Sequence, residues 1–230
     1  MQIKRTHSIF IGAFYIIAAV SSIIAVMLYQ PVLSQDWYLA VGKGLGRQVL
    51  IGVLNDLLLV VSAIGTAVMF FPYLRKTNEH LAMFHLTFRF MEAVVIMIGL
   101  VGILGLYTLS QAYNSALLSE TGGLLATGVA FQSLHRWTFL IGPNLMLGLN
   151  TSVYSYLLFK NRLVPRALSM FGMFTAIMVF LAGLLDFFGV IAPDSTMKGL
   201  LALPVGLYEI SLAIHLIYKG VRRGRVPEVS

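Results

Sequence analysis

The chain has 230 residues, 58% of them hydrophobic and only 11% charged, with a formal net charge of +7 and no cysteine. A soluble domain carries roughly 25% charged residues, so this composition describes a protein whose main partner is the lipid bilayer. The lack of cysteine excludes disulfides, thiolate metal sites and thiol nucleophiles, and the scatter of basic residues into short clusters between apolar runs excludes nucleic-acid binding.

About 20 apolar residues cross a hydrocarbon core, and six runs of that order predict an all-α, polytopic membrane bundle of six transmembrane helices. The expected spans are 8–29, 49–71, 81–108, 131–159, 167–192 and 199–218, forming a single domain over 1–230. Lys4 and Arg5 precede the first run. That run is longer than the apolar core of a signal peptide and has no convincing cleavage site, so a retained helix is expected. The link at 30–48 holds Trp37 and Tyr38, suited to a membrane interface, and Gly42, Gly44 and Gly46, which interrupt a helix.

The second span carries Asn55 and Asp56 about two turns from its start. A tight turn from Arg75 to His80 leads into the third, where His85, Arg89 and Glu92 are spaced by four and three residues and so share one helix face. Residues 109–130 read as a loop or an interfacial helix able to close over one face as a lid.

In the fourth span His135 and Arg136 are adjacent and therefore point about 100° apart, so they cannot both face one partner and one of the two is expected to snorkel outward. Pro143 predicts a kink, with Asn144, Thr151 and Ser155 available to satisfy freed backbone groups or to line a cavity. Gly142 and Gly148 would let another helix approach closely. Pro165 opens the fifth span, which carries Asp186 near its far end, where water would leave it needing no partner. The sixth holds Glu209 one and a half turns after Pro204 among apolar neighbours.

Lys and Arg set orientation. One side collects Lys4, Arg5, Arg75, Lys76, Lys160, Arg162, Arg166, Lys219, Arg222, Arg223 and Arg225; the other has Lys43, Arg47 and Lys198. Both termini are therefore expected to be cytoplasmic.

A charge at the centre of a bilayer costs at least ~2.5 kcal/mol even on the lenient insertion scale. Asp56, Glu92, Asp186 and Glu209 nevertheless lie within the spans, against Arg89 and Arg136. The surplus must be protonated, matched by histidine or neutralised by a bound cation. Arg89 and Glu92 are either an ion pair that holds the helices in register or an anchor with Glu92 as acceptor of a proton or cation. Asp56, Arg89, Glu92, His135 and Glu209 are the site candidates, with Asn55, Arg136, Asn144 and Asp186 in support. As a metal set, Asp56, Glu92, His135 and Glu209 offer one nitrogen and three carboxylates to a divalent ion such as zinc or manganese, if helix tilts bring them to one depth.

The segments FRFMEA at 88–93, LHRWTFLIG at 134–142, FKNRLVPRALSMFG at 159–172, Asp186 and LPVGLYEISLAIHLIYKGV at 203–221 together resemble a bacterial membrane family, domain of unknown function 4386. The resemblance spans nearly the whole chain. It implies a compact six-helix protein of a bacterial inner or plasma membrane, with Asp56, Arg89, Glu92, His135 and Glu209 at the family's polar positions, and it implies no established activity.

No HExxH, GxSxG, Walker loop or dinucleotide fingerprint is present. The preferred reading is a non-enzymatic bundle that binds or conducts a proton, cation or small ligand at the carboxylate, arginine and histidine cluster. A metal-dependent intramembrane hydrolase and a structural or accessory protein are the alternatives. No internal repeat is visible, which weighs against transport by a monomer and makes a homo-oligomer the natural way to build a pathway.

Overall fold

The computed structural model describes residues 5–117, 119–193 and 195–221, and no strand occurs among them. The helices are α1 (Arg5–Leu33), α2 (Gly46–Leu74), α3 (Glu79–Tyr113), α4 (Thr121–Leu140), α5 (Leu147–Asn161), α6 (Arg166–Phe187) and α7 (Thr196–Tyr218). A π-helical stretch, Ile141–Met146, joins α4 to α5 without a break. Of these helices α1, α2, α3, α6 and α7 are each long and apolar enough to cross a membrane. At 1.5 Å per residue even α6 is ~33 Å long.

The helices close a ring, α4 and α5 forming one continuous run: α1 packs on α2 and α7, α2 on α3, α3 on α4 and α5, α5 on α6, and α6 on α7. Three polar ties gather one end of the ring. The Val221 N–H donates to Ser8 Oγ at 3.2 Å, His7 Nδ1 lies 3.1 Å from the Tyr73 hydroxyl, and Asn161 Nδ2 donates to Thr77 Oγ1. Arg5, Arg75, Lys76, Lys160, Arg162, Arg166 and Lys219 lie at or beside the helix ends gathered there. Lys4, Arg222, Arg223 and Arg225, assigned to the same side from sequence, lie outside the described residues.

Two hydrophobic clusters fill the interior. One, near the basic end, packs Ile11, Phe70, Leu74, Leu158 and Leu216, and the other, toward the far end, packs Val32, Trp37, Val49, Ile103 and Leu106.

Pro143 explains the π stretch. It has no N–H to offer the Phe139 carbonyl one turn back, and Asn144 Nδ2 donates to that carbonyl instead, at 3.0 Å. Where the sequence predicts a kink, Pro143 is accommodated as a π stretch, and its backbone cost is met by the adjacent side chain. Gly148 allows the close approach expected of it, since a Cβ there would lie 2.7 Å from Phe180 Cβ on α6.

Several expectations are corrected. The fourth helical element starts at Thr121, well before 131, and α3 continues to Tyr113, so most of 109–130 is helix, the second of the two forms expected for it. Trp37 is not an interface residue. It is 3% exposed, in a 3₁₀ turn (Trp37–Leu39) tucked inward against Gly128, whose missing side chain makes the room: a Cβ there would fall 1.8 Å from the indole.

Candidate functional site

The face shared by His85, Arg89 and Glu92 is buried throughout. Arg89 Nη1 donates to both carboxylate oxygens of Glu92 at 3.1 Å, and Nη2 lies 3.7 Å from Glu209 Oε1. The ring order makes this possible. Helices α3 and α7 both line the interior, and Arg89 and Glu209 lie ~14 to 15 Å along their helices from the basic end, at one depth.

Further groups meet at that depth. His85 Nδ1 hydrogen-bonds to Asn150 Oδ1 on α5, and the other end of the Asn150 amide lies near Glu92. The rings of Tyr15 (α1), Tyr154 (α5) and Tyr208 (α7) form a wall, with centroids 6.1 Å apart for Tyr15 with Tyr154 and for Tyr154 with Tyr208. The Tyr208 hydroxyl lies 2.9 Å from Ser155 Oγ, and Gly172 on α6 leaves space for it. A Cβ on Gly172 would stand 2.3 Å from Tyr208 Cζ.

The cluster is unusual in what it leaves unpaired. The Tyr15 and Tyr154 hydroxyls, Glu209 Oε1, Asn150 Nδ2 and His85 Nε2 are all buried and make no well-formed hydrogen bond to a protein group. Such atoms are rare in folded proteins and commonly mark bound water, an ion or a chemical role. Two carboxylates on one guanidinium also leave a net charge of minus one when all are ionised.

A second polar group lies toward the far end. The Tyr29 hydroxyl is 2.9 Å from both the Gly52 carbonyl and Asp56 Oδ2, and the Tyr29 ring meets His135 edge-on with centroids 5.9 Å apart. Asp56 has no ion-pair partner among the described residues. One phenolic proton cannot fully serve two acceptors. A protonated Asp56 resolves the conflict by donating to the phenolic oxygen while Tyr29 donates to Gly52. Asn55 is occupied locally, its amide donating to the Ser21 carbonyl at 2.7 Å.

The third group corrects two expectations. Asp186 is not solvated: its side chain is 2% exposed, with Lys198 Nζ 2.5 Å from Oδ2 and Arg136 Nη2 3.8 Å from Oδ1. Lys198, expected as one of the few basic residues flanking the spans on the far side, is instead buried in the first turn of α7. Of the adjacent His135 and Arg136, it is Arg136 that turns outward, and its guanidinium lies 5.5 Å from the Trp137 ring centre.

The candidates therefore divide. Arg89, Glu92 and Glu209 are brought together; Asp56 and His135 are bridged by Tyr29; Arg136 and Asp186 meet elsewhere; and Asn144 serves the backbone at Pro143. The proposed metal set of Asp56, Glu92, His135 and Glu209 is split between two groups, and no cluster of three or more His, Asp or Glu among the described residues is arranged to hold a metal. Sequence reasoning missed Tyr15, Tyr29, Asn150, Tyr154 and Tyr208. The only signal for them was spacing: Asn150 and Tyr154 are four apart, on the face next to the noted Thr151 and Ser155.

Apolar helices around a buried, charged interior define an all-helical membrane protein. A family model described as domain of unknown function (DUF4386) matches residues 10–220, and the chain belongs to that family. No curated protein and no solved structure matches the chain.

Proposed function

We propose that this is a six-span protein of a bacterial inner or plasma membrane that binds a proton or small cation at Arg89, Glu92 and Glu209 and passes it toward Asp56 and His135. The sixth span is the continuous run through α4, the π stretch and α5, and the basic end is the cytoplasmic one, which places both termini there. The observation that carries the reading is Arg89 standing between two buried carboxylates, at 3.1 Å and 3.7 Å, with no second cation against them among the described residues. In a low-dielectric interior an unmatched charge costs several kcal/mol, so the surplus carboxylate exchanges it for a bound positive species. A second copy of the chain would supply the pathway that a monomer without repeats lacks.

Infrared difference spectroscopy on the protein in nanodiscs tests this. A carboxylic acid band that responds to pH in the wild type and vanishes in Glu209→Gln or Glu92→Gln is the expected result. Identical difference spectra in the wild type and both variants would defeat it.

A further inference from the structure

We infer that the inner cluster is a site for a small monovalent alkali cation of sodium size, held by Glu209 Oε1 and the hydroxyls of Tyr15 and Tyr154. The inference rests on the proposed function and names the bound species more narrowly. Three observations lead to it, and they bear on charge, donor type and space.

Charge comes first. Glu92 already takes two hydrogen bonds from Arg89, whereas Glu209 Oε1 sits at 3.7 Å from the guanidinium and makes no hydrogen bond. Glu209 is thus the carboxylate left in deficit, by one charge. A divalent ion would overshoot that deficit, and calcium would want six to eight oxygen ligands, so the charge selects a monovalent ion.

Donor type comes second. The unpaired atoms nearest in kind are oxygens: Glu209 Oε1, Tyr15 Oη and Tyr154 Oη, all on fully buried side chains or nearly so. Both tyrosines lie within electrostatic reach of Glu209 and Arg89. Carboxylate and hydroxyl oxygens are hard ligands that suit hard cations. Each phenol has two lone pairs, so the hydroxyls keep one for a cation even where Tyr15, Tyr154 and Tyr208 approach one another closely enough to share protons.

Space comes third. An organic ammonium recognised by aromatic faces needs an open cage. Here Tyr15, Tyr154 and Phe70 pack on one another with centroids 6.1 to 6.4 Å apart and no exposed surface beyond 1%. Rings packed this closely leave no such cage, so the candidates narrow to a bare ion. The two shallow grooves of the molecule, between α2 and α3 and beside Pro143, touch none of these residues.

The experiment is thermal unfolding of the whole protein in mild detergent at alkaline pH, where protons compete least, with sodium, potassium or choline chloride at equal ionic strength. A saturable rise in Tm with sodium over choline is expected for the wild type, following the mass-action dependence of a ligand that binds only the folded state. Glu209→Gln should abolish it, and Tyr154→Phe, which keeps the ring and the packing, should weaken apparent sodium affinity by about tenfold, the value of one modest interaction. A sodium effect equal in all three proteins would overturn the inference. So would the absence of any sodium effect in the wild type, and there the infrared titration separates the cases: if the carboxyl band still depends on Glu209, the site holds a proton and the wider proposal stands, and if it does not, both fall.

Discussion

Arg89 Nη2 and Glu209 Oε1 face each other across 3.7 Å, tying the third helix to the seventh through the middle of the bundle. The contact is too long for a hydrogen bond, so the pair is held by charge and leaves part of the carboxylate free for another ligand.

Removing the shared cation should hurt more than removing either anion. Arg89→Met leaves two carboxylates facing each other without a counterion and is expected to cost about 3 to 5 kcal/mol, whereas Glu209→Gln leaves the Arg89 and Glu92 pair neutral and costs less. Denaturation in detergent, read as a double-mutant cycle over Arg89 and Glu92, should show that the double variant is better tolerated than the sum of the singles. Additive losses would mean that the pair is not energetically coupled.

The Tyr29 and Asp56 contact makes a sharper chemical prediction. If Asp56 carries a proton, Asp56→Asn preserves a donor toward Tyr29 and should change stability by less than ~1 kcal/mol, while Asp56→Leu leaves the phenol short of a partner and costs about 1 to 3 kcal/mol. Equal losses in the two variants, measured by thermal unfolding, would count against a protonated Asp56.

At Pro143, the side chain of Asn144 fills a backbone role. Asn144→Leu strands the Phe139 carbonyl and should cost about 1 to 3 kcal/mol. Adding Pro143→Ala restores an N–H in register and should recover most of that loss. Failure of the second change to rescue the first would show that Asn144 matters for some other reason.

Gly172→Ala should push α6 away from α7, because the new methyl would sit 2.3 Å from Tyr208 Cζ and 2.5 Å from Ser155 Oγ. Overpacking of this kind costs about 1 to 3 kcal/mol. The phenol bonded to Ser155 should change its ultraviolet resonance Raman signature at the same time, and an unchanged spectrum would place Tyr208 elsewhere.

Local chemistry made much of this legible in advance. A four and three spacing had to put His85, Arg89 and Glu92 on one face, and a helix of 3.6 residues per turn had to split His135 from Arg136. Pro143 had to disturb the backbone, since it lacks an N–H in any fold. Boundaries were less legible where apolar helix ran past the expected edge, as α3 does to Tyr113, because helix and polar link differ little in composition there.

The sequence by itself determined the class: apolar helices, a basic end and too few cations for the buried carboxylates, all set by composition and by periods that follow from backbone geometry. Only the tertiary structure decided which charges meet. It gave Asp186 to Lys198 and Arg136, Glu92 and Glu209 to Arg89, and Asp56 to a tyrosine, and it gathered Tyr15, Tyr154 and Tyr208 around one depth. Those partnerships join helices far apart in the chain, and they depend on the order of the ring and the rotation of each helix, which no local spacing specifies.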